Sequence, residues 1–133
     1  MSKKTLDPCG HVKLAVSNFS RSFTFYKEIF DTLGYTLVKE GKDSAGWVSC
    51  EMYGIWIAQA QIVDHPYKFN SPGLHHLCLK ANTKEKVDLI YSLLLKKGLH
   101  IFDIPQKYPR YTNQYYAVFF ADPDGMKIEV AYY

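Results

Sequence analysis

The sequence predicts an α+β fold: two tandem βαβββ modules forming a curved, cup-shaped mixed sheet with helices on the outer face. Three observations carry this. The order strand, helix, strand, strand, strand occurs twice along the chain. Each helical stretch has an apolar stripe and stops at a glycine. A polar stretch with two prolines, "VDHPYKFNSPG", separates the copies. The repeat period is about 65–71 residues, and the match lies in pattern rather than identity. A length of 133 residues suits one domain, 1–133, with module 1 at about 9–62, a connector at 63–73 and module 2 at about 74–132.

The elements follow in order. "HVKLAV" (11–16) alternates Val12, Leu14 and Val16 with His11, Lys13 and Ala15, the period of a half-buried strand. In "NFSRSFTFYKEIFDTLG", Phe19, Phe23, Tyr26, Phe30 and Leu33 recur at spacings of three and four, which predicts a helix. Asn18 or Ser20 can cap its start, and Gly34 can end it. Strands are expected over 35–40, 46–53 and 55–61, with "GKDSAG" and "YG" as turns. The second copy begins with "HHLCLKA". Its helix, "NTKEKVDLIYSLLLKKG", has Asn82 and Glu85 at capping-box spacing and Gly98 as its stop. "HIFDIP" is a short strand and "QKYPRYTNQ" a polar loop. "YYAVFFA" (115–121) and "MKIEVAYY" (126–133) are strands joined by the turn "DPDG".

Composition narrows the function classes. The chain is 47% hydrophobic and 16% aromatic, enough for a packed core. Its net charge of +3 is spread rather than massed, so no nucleic-acid partner is expected. Three cysteines without a CxxC spacing fit neither a disulfide framework nor a zinc ribbon. The opening "MSKKTLDPCG" leads to no apolar signal core, and no run reaches the ~20 residues of a membrane span. The expectation is a soluble, cytoplasmic protein with no membrane partner.

Alternation also assigns faces. With Val12, Leu14 and Val16 under a helix, His11, Lys13 and Ala15 point into the cup. With Leu77 and Leu79 under the second helix, His76, Cys78 and Lys80 do so, and His75 takes the opposite face. In the last strand Lys127, Glu129 and Ala131 face the cup. His11, His76 and Glu129 thereby reach one concave surface. Two imidazoles and a carboxylate are the donors of a facial triad, which holds a divalent metal and leaves positions open. The plainer reading of a strand histidine is structural. The duplicated position and a carboxylate in an apolar strand weigh against that here. His and carboxylate donors suit Zn, Fe, Mn, Ni or Co alike.

These residues carry a resemblance. "HVKLAVSNFSRSFTFYKEIFDTLGYTLV", "GLHHLCLKA" and "YYAVFFADPDGMKIEVAYY" resemble the vicinal oxygen chelate superfamily, also called the glyoxalase/bleomycin-resistance/dioxygenase superfamily, over roughly residues 9–132. The resemblance implies a single domain of paired βαβββ modules, a metal centre and a homodimer. It takes ligands from the first and fourth strands of each module: His11, His76 and Glu129. Laying Gly54–Ala58 on Gly125–Glu129 puts Ala58 opposite Glu129, and alanine cannot ligate. Gln59, one residue on, is the alternative fourth ligand if a bulge turns it inward.

The function implied is a metal-dependent enzyme acting on a small oxygen-bearing metabolite by bidentate chelation, of lyase/isomerase, thiol transferase or dioxygenase type. Three ligands lean towards thiol transfer or dioxygenation; Gln59 as a fourth leans towards glyoxalase or epimerase. The alternative is a metal-free, bleomycin-resistance-like binding protein with Trp47, Trp56, Tyr115 and Tyr116 in its pocket. Lys107, Arg110 and Tyr111 in the long loop are candidates to meet an anionic group of the substrate.

Overall fold

The computed structural model describes residues 9–50 and 53–133. Glu51 and Met52, within the strand expected over 46–53, and residues 1–8, most of the polar opening stretch, lie outside them. The elements are β1 (His11–Val16), α1 (Phe19–Leu33), β2 (Thr36–Glu40), β3 (Ser44–Val48) and β4 (Gly54–Gln59), then β5 (Leu77–Lys80), α2 (Lys84–Lys97), β6 (Ile101–Lys107), β7 (Tyr116–Ala121) and β8 (Lys127–Tyr132). The βαβββ order thus occurs twice. The strands form two four-stranded mixed sheets, ordered β1-β4-β3-β2 and β5-β8-β7-β6. In each, the first strand runs parallel to the fourth and the other pairs are antiparallel.

Local chemistry sets the element ends. The Asn18 side chain accepts the Arg21 N–H, and Gly34 ends α1 at φ 85°, a backbone that favours glycine. At α2 the cap is Thr83, which accepts the Lys86 N–H at 3.1 Å, so the Asn82–Glu85 box does not form. Two cap-competent residues stand side by side, and the helix starts after the second. β3 begins at Ser44, earlier than expected, because Gly41 N–H donates to the Ser44 carbonyl at 2.8 Å and closes a tight turn. β6 runs on to Lys107 and takes the start of the loop expected over 106–114. β5 starts only at Leu77.

Each helix covers one face of its own sheet. Phe25, Tyr26, Ile29 and Phe30 of α1 are buried, and Phe30 packs its ring 4.8 Å from Trp47 of β3. Each such large side chain contributes about 1.5–3 kcal/mol by leaving water. The two helix-covered faces then share one core, which joins Leu14, Ile55 and Ile57 of the first sheet to Leu79, Phe120 and Ile128 of the second. Phe25 meets Phe120 edge-on at 6.2 Å, and the Tyr26 hydroxyl donates to the buried Asp122 at 2.6 Å. Arg21 pairs with Asp124, and Lys97 with Glu28. Because the helix sides meet, the opposite faces of the sheets, which carry His11 and Glu129, point away from the shared core.

Candidate functional site

The concave face of the second sheet holds an ionisable cluster in an aromatic wall. Ala117, Phe119 and Ala131 form a small apolar cluster there, with Phe102, Tyr108 and Tyr115 packed on it. Glu129 rises from β8 into this wall and is only 3% exposed. A buried carboxylate is costly unless its oxygens have partners. Here the Tyr115 hydroxyl donates to Oε2 at 2.5 Å, and Oε1 lies 3.1 Å from Nε2 of His76. The Tyr115 phenol is pushed well above its ordinary value, by burial first and then by its bond to Glu129. Cys78 sits beside Glu129 in the register of β5 and β8. Cys78 presents surface to solvent, yet its thiol is pushed up to about 12, by burial and then by the Glu129 charge.

His75 does not take the opposite face. Its Nδ1 lies 2.7 Å from Nδ1 of His76, and its ring stands edge-on to Phe69 at 5.2 Å. Strand alternation does not apply, since β5 begins two residues later. The result is a continuous chain: His75, His76, Glu129, Tyr115. Its proton bookkeeping is constrained. With Nε2–H of His76 donating to Glu129, Nδ1 of His76 accepts from His75. With Nε2 free to ligate, Nδ1–H donates to His75 instead.

The remaining expected site residues divide. His11 is exposed in the first sheet, paired in register with Gly54, and does not join His76 and Glu129. Among the described residues no group of three His, Cys, Asp or Glu side chains could hold a metal ion. Gln59 does not turn inward: Oε1 accepts the Phe19 N–H at 2.9 Å, and Nε2 donates to the Ser17 carbonyl at 2.9 Å. It ties β4 to the start of α1, on the helix side. Ala58 is not the counterpart of Glu129. His11 pairs with Gly54, Gly46 with Trp56, Phe119 with Glu129, and Cys78 with Glu129. Matching His11 to His76 puts Gly54–Gln59 on Lys127–Tyr132, so Trp56 stands where Glu129 stands and Ala58 matches Ala131. The expected alignment slipped by two residues because it matched the glycines, Gly54 and Gly125, and only the first lies in a strand.

Trp56 does face the concave side of its sheet, and its indole lies over Gly46, where an added Cβ would stand 2.4 Å from the ring. Tyr116 leaves the concave face: its hydroxyl donates to Asp88 of α2 at 2.6 Å. Lys107 pairs in register with Tyr116 and shares that face. Tyr111 stays with the wall, 5.7 Å from Tyr108 and 5.1 Å from Tyr115, and Arg110 donates to its hydroxyl at 3.0 Å. Of the other aromatics expected in a pocket, Trp47 packs on Phe30 on the helix side, while Tyr115, next to β7 rather than in it, does line the site; sequence reasoning missed only its bond to Glu129. The only signal was its count of fourteen residues before Glu129 across the "DPDG" turn.

The donors fit a divalent ion in part. Two donors each about 2.1 Å from one ion, at a right angle, lie about 3.0 Å apart. His76 Nε2 and Glu129 Oε1 stand 3.1 Å apart. That distance is an ordinary hydrogen bond and also matches two donors on one ion, and the His75 contact holds the imidazole from behind.

Known proteins place the chain. The model of the Glyoxalase/Bleomycin resistance protein/Dioxygenase superfamily matches residues 9–130, and the chain belongs to that superfamily. Protein YqjT of Bacillus subtilis (strain 168) is 27% identical, over 90% of this chain and 94% of its own length. The metallothiol transferase FosB of Lysinibacillus sphaericus (strain C3-41) is 26% identical, over 94% of this chain and 82% of its own. Among solved structures, a glyoxalase/bleomycin resistance protein from Albidiferax ferrireducens T118 superposes with a TM-score of 0.75 at 21% identity, covering 93% of this chain and 97% of that one. That last likeness concerns the fold. Among the described residues, no helix is long and apolar enough to cross a membrane.

Proposed function

We propose that this protein is a divalent-metal enzyme of the three-ligand type. His76 and Glu129 of one copy and His11 of a second copy would hold the ion. The observation that carries this is the His76–Glu129 pair, its carboxylate buried in an aromatic wall and its imidazole partly open to solvent, on a face turned away from the chain's own His11. Two outward concave faces on each chain suit a homodimer in which the first sheet of one copy closes over the second sheet of the other. The engagement of Gln59 at α1 supports three ligands rather than four. Three ligands, with the similarity to a metallothiol transferase, favour transfer of a thiol to a small oxygen-bearing metabolite.

The bound ion would act as a Lewis acid on a substrate oxygen. The chain's own residues do the rest. Tyr115 fixes the rotamer of Glu129 through its 2.5 Å bond, and His75 fixes the tautomer and ring plane of His76. Phe119, Phe102 and Tyr108 keep water from the face of the pocket. A second reading, a metal-free binding protein, draws on the fact that Glu129 is already satisfied by His76 and Tyr115 without an ion.

Metal content decides between them. The expected result is one Mn2+ or Zn2+ per wild-type chain and none for His11→Ala or His76→Ala alone. Mixing those two variants restores binding, since a mixed dimer keeps one intact site. A wild type that binds no divalent metal sinks the enzyme reading. If mixing restores nothing, His11 does not come from a second copy.

A further inference from the structure

Lys127 lies on the concave face two residues before Glu129 and is half-buried. Its ammonium stands over three aromatic rings: Phe69 at 4.9 Å, Phe102 at 5.3 Å and Phe119 at 4.8 Å. The rings come from three separate segments, the connector, β6 and β7. Two of them also touch the site: Phe69 meets His75, and Phe119 meets His76 at 6.0 Å. The cage and the histidine pair therefore share walls.

The electrostatics of this cage are unbalanced. Among the described residues no carboxylate lies within ion-pair reach of Lys127, and its ammonium makes no hydrogen bond. Glu129, on the same face, has both oxygens committed to His76 and Tyr115. Ring faces attract a cation but accept none of its three N–H bonds well. A half-buried ammonium whose donors meet only ring faces and solvent keeps them available for a charge-assisted bond to an anion.

We infer that Lys127 is an anion-binding residue of this pocket, pairing with the oxyanion of a small carboxylate or phosphate ester seated beside His76 and Glu129. This deepens the reading above by naming the substrate's charge, and it rests on that reading for the word substrate alone. The rings hold the ammonium in place, so that it is aimed before the ligand arrives. It also moves the anion contact away from Lys107, which faces the helix side.

Calorimetry on the full chain tests this, with inorganic phosphate and acetate as probes, metal-free and in Mn2+. Wild type is expected to bind one or both anions in either state. Lys127→Met keeps the apolar stem in the cage and should bind at least about tenfold more weakly, the scale of one charge-assisted pair. Lys127→Arg keeps the charge and the ring contacts and should bind more tightly than Lys127→Met, which shows that charge rather than packing is read. Preference for phosphate assigns a phosphate ester, and preference for acetate assigns a carboxylate. The inference is overturned if Lys127→Met binds as wild type does, or if wild type binds neither anion. A chain that binds no Mn2+ yet shows Lys127-dependent anion binding overturns the metal reading and keeps this one.

Discussion

Trp56 and Glu129 occupy matching places in the two sheets, and their neighbours have changed with them. In the second sheet Phe119 lies beside Glu129, and Tyr115 and His76 reach its oxygens. In the first, Gly46 lies beside Trp56 and leaves room for the indole. A duplicated scaffold has kept its register and exchanged a polar cluster for an aromatic slab. One module supplies donors already paired; the other offers an exposed histidine, with Lys13 and the Trp56 indole on the same face. The comparison teaches that the fold fixes where side chains point, while the chemistry of each face depends on a few local exchanges of size.

The sharpest way to break the comparison is to remove one member of each pair. Glu129→Ala is expected to weaken divalent-metal binding by about 100-fold or more, beyond the 10–100-fold range of residues that only support a ligand. Trp56→Ala should leave metal affinity unchanged in the same chelator competition. Next, Gly46→Ala places a methyl against the Trp56 ring and should cost about 1–3 kcal/mol in urea denaturation, the usual penalty of overpacking. His75→Ala should lower metal affinity by roughly tenfold with little change in stability, because it frees the ring and tautomer of His76.

The smallest effect is a pH dependence. Burial holds the Asp122 carboxyl above the ordinary carboxylate value, against hydrogen bonds from Tyr26, Met126 and Asp124 that pull it down. The folded chain therefore keeps this proton more tightly than the unfolded chain. Its contribution to stability is full below the ordinary value and is lost as pH rises through the raised one. Over that interval the melting temperature of Asp122→Asn should fall less than that of wild type. An equal fall in both would show that Asp122 keeps its ordinary value.

Much of the fold was legible because it rests on periodicity. The alternation in "HVKLAV" sends Leu14 and Val16 inward as expected, with Val12 half-buried, and puts His11 on the other face. Gly34 and Gly98 mark helix ends through their left-handed backbone. The site was legible where a residue sits inside a strand, as Glu129 does, or directly before its first residue, as His76 does at β5. Glu129 and His76 come together as alternation and repeat predict. His75 escaped because it precedes β5, where the pleat no longer dictates direction. The partnership of Glu129 with Trp56 escaped because matching glycines gave the wrong register. That the two cups face outward depends on α1 packing against Phe120 and Asp122 of the other module, contacts between residues some 95 or more positions apart. No local pattern encodes them.

The turn "DPDG" does more than reverse the chain. Asp122 takes the Tyr26 hydroxyl, and Asp124 takes Arg21 together with the backbone N–H and hydroxyl of Ser17. The two aspartates thus clasp the helix of the first repeat, Asp124 at its start and Asp122 at its middle. Although the chain reads as one unit written twice, its halves have become mutually dependent: an isolated first repeat would leave Phe25 and Tyr26 facing water, and an isolated second would expose Phe120 and take the Tyr26 hydroxyl from Asp122.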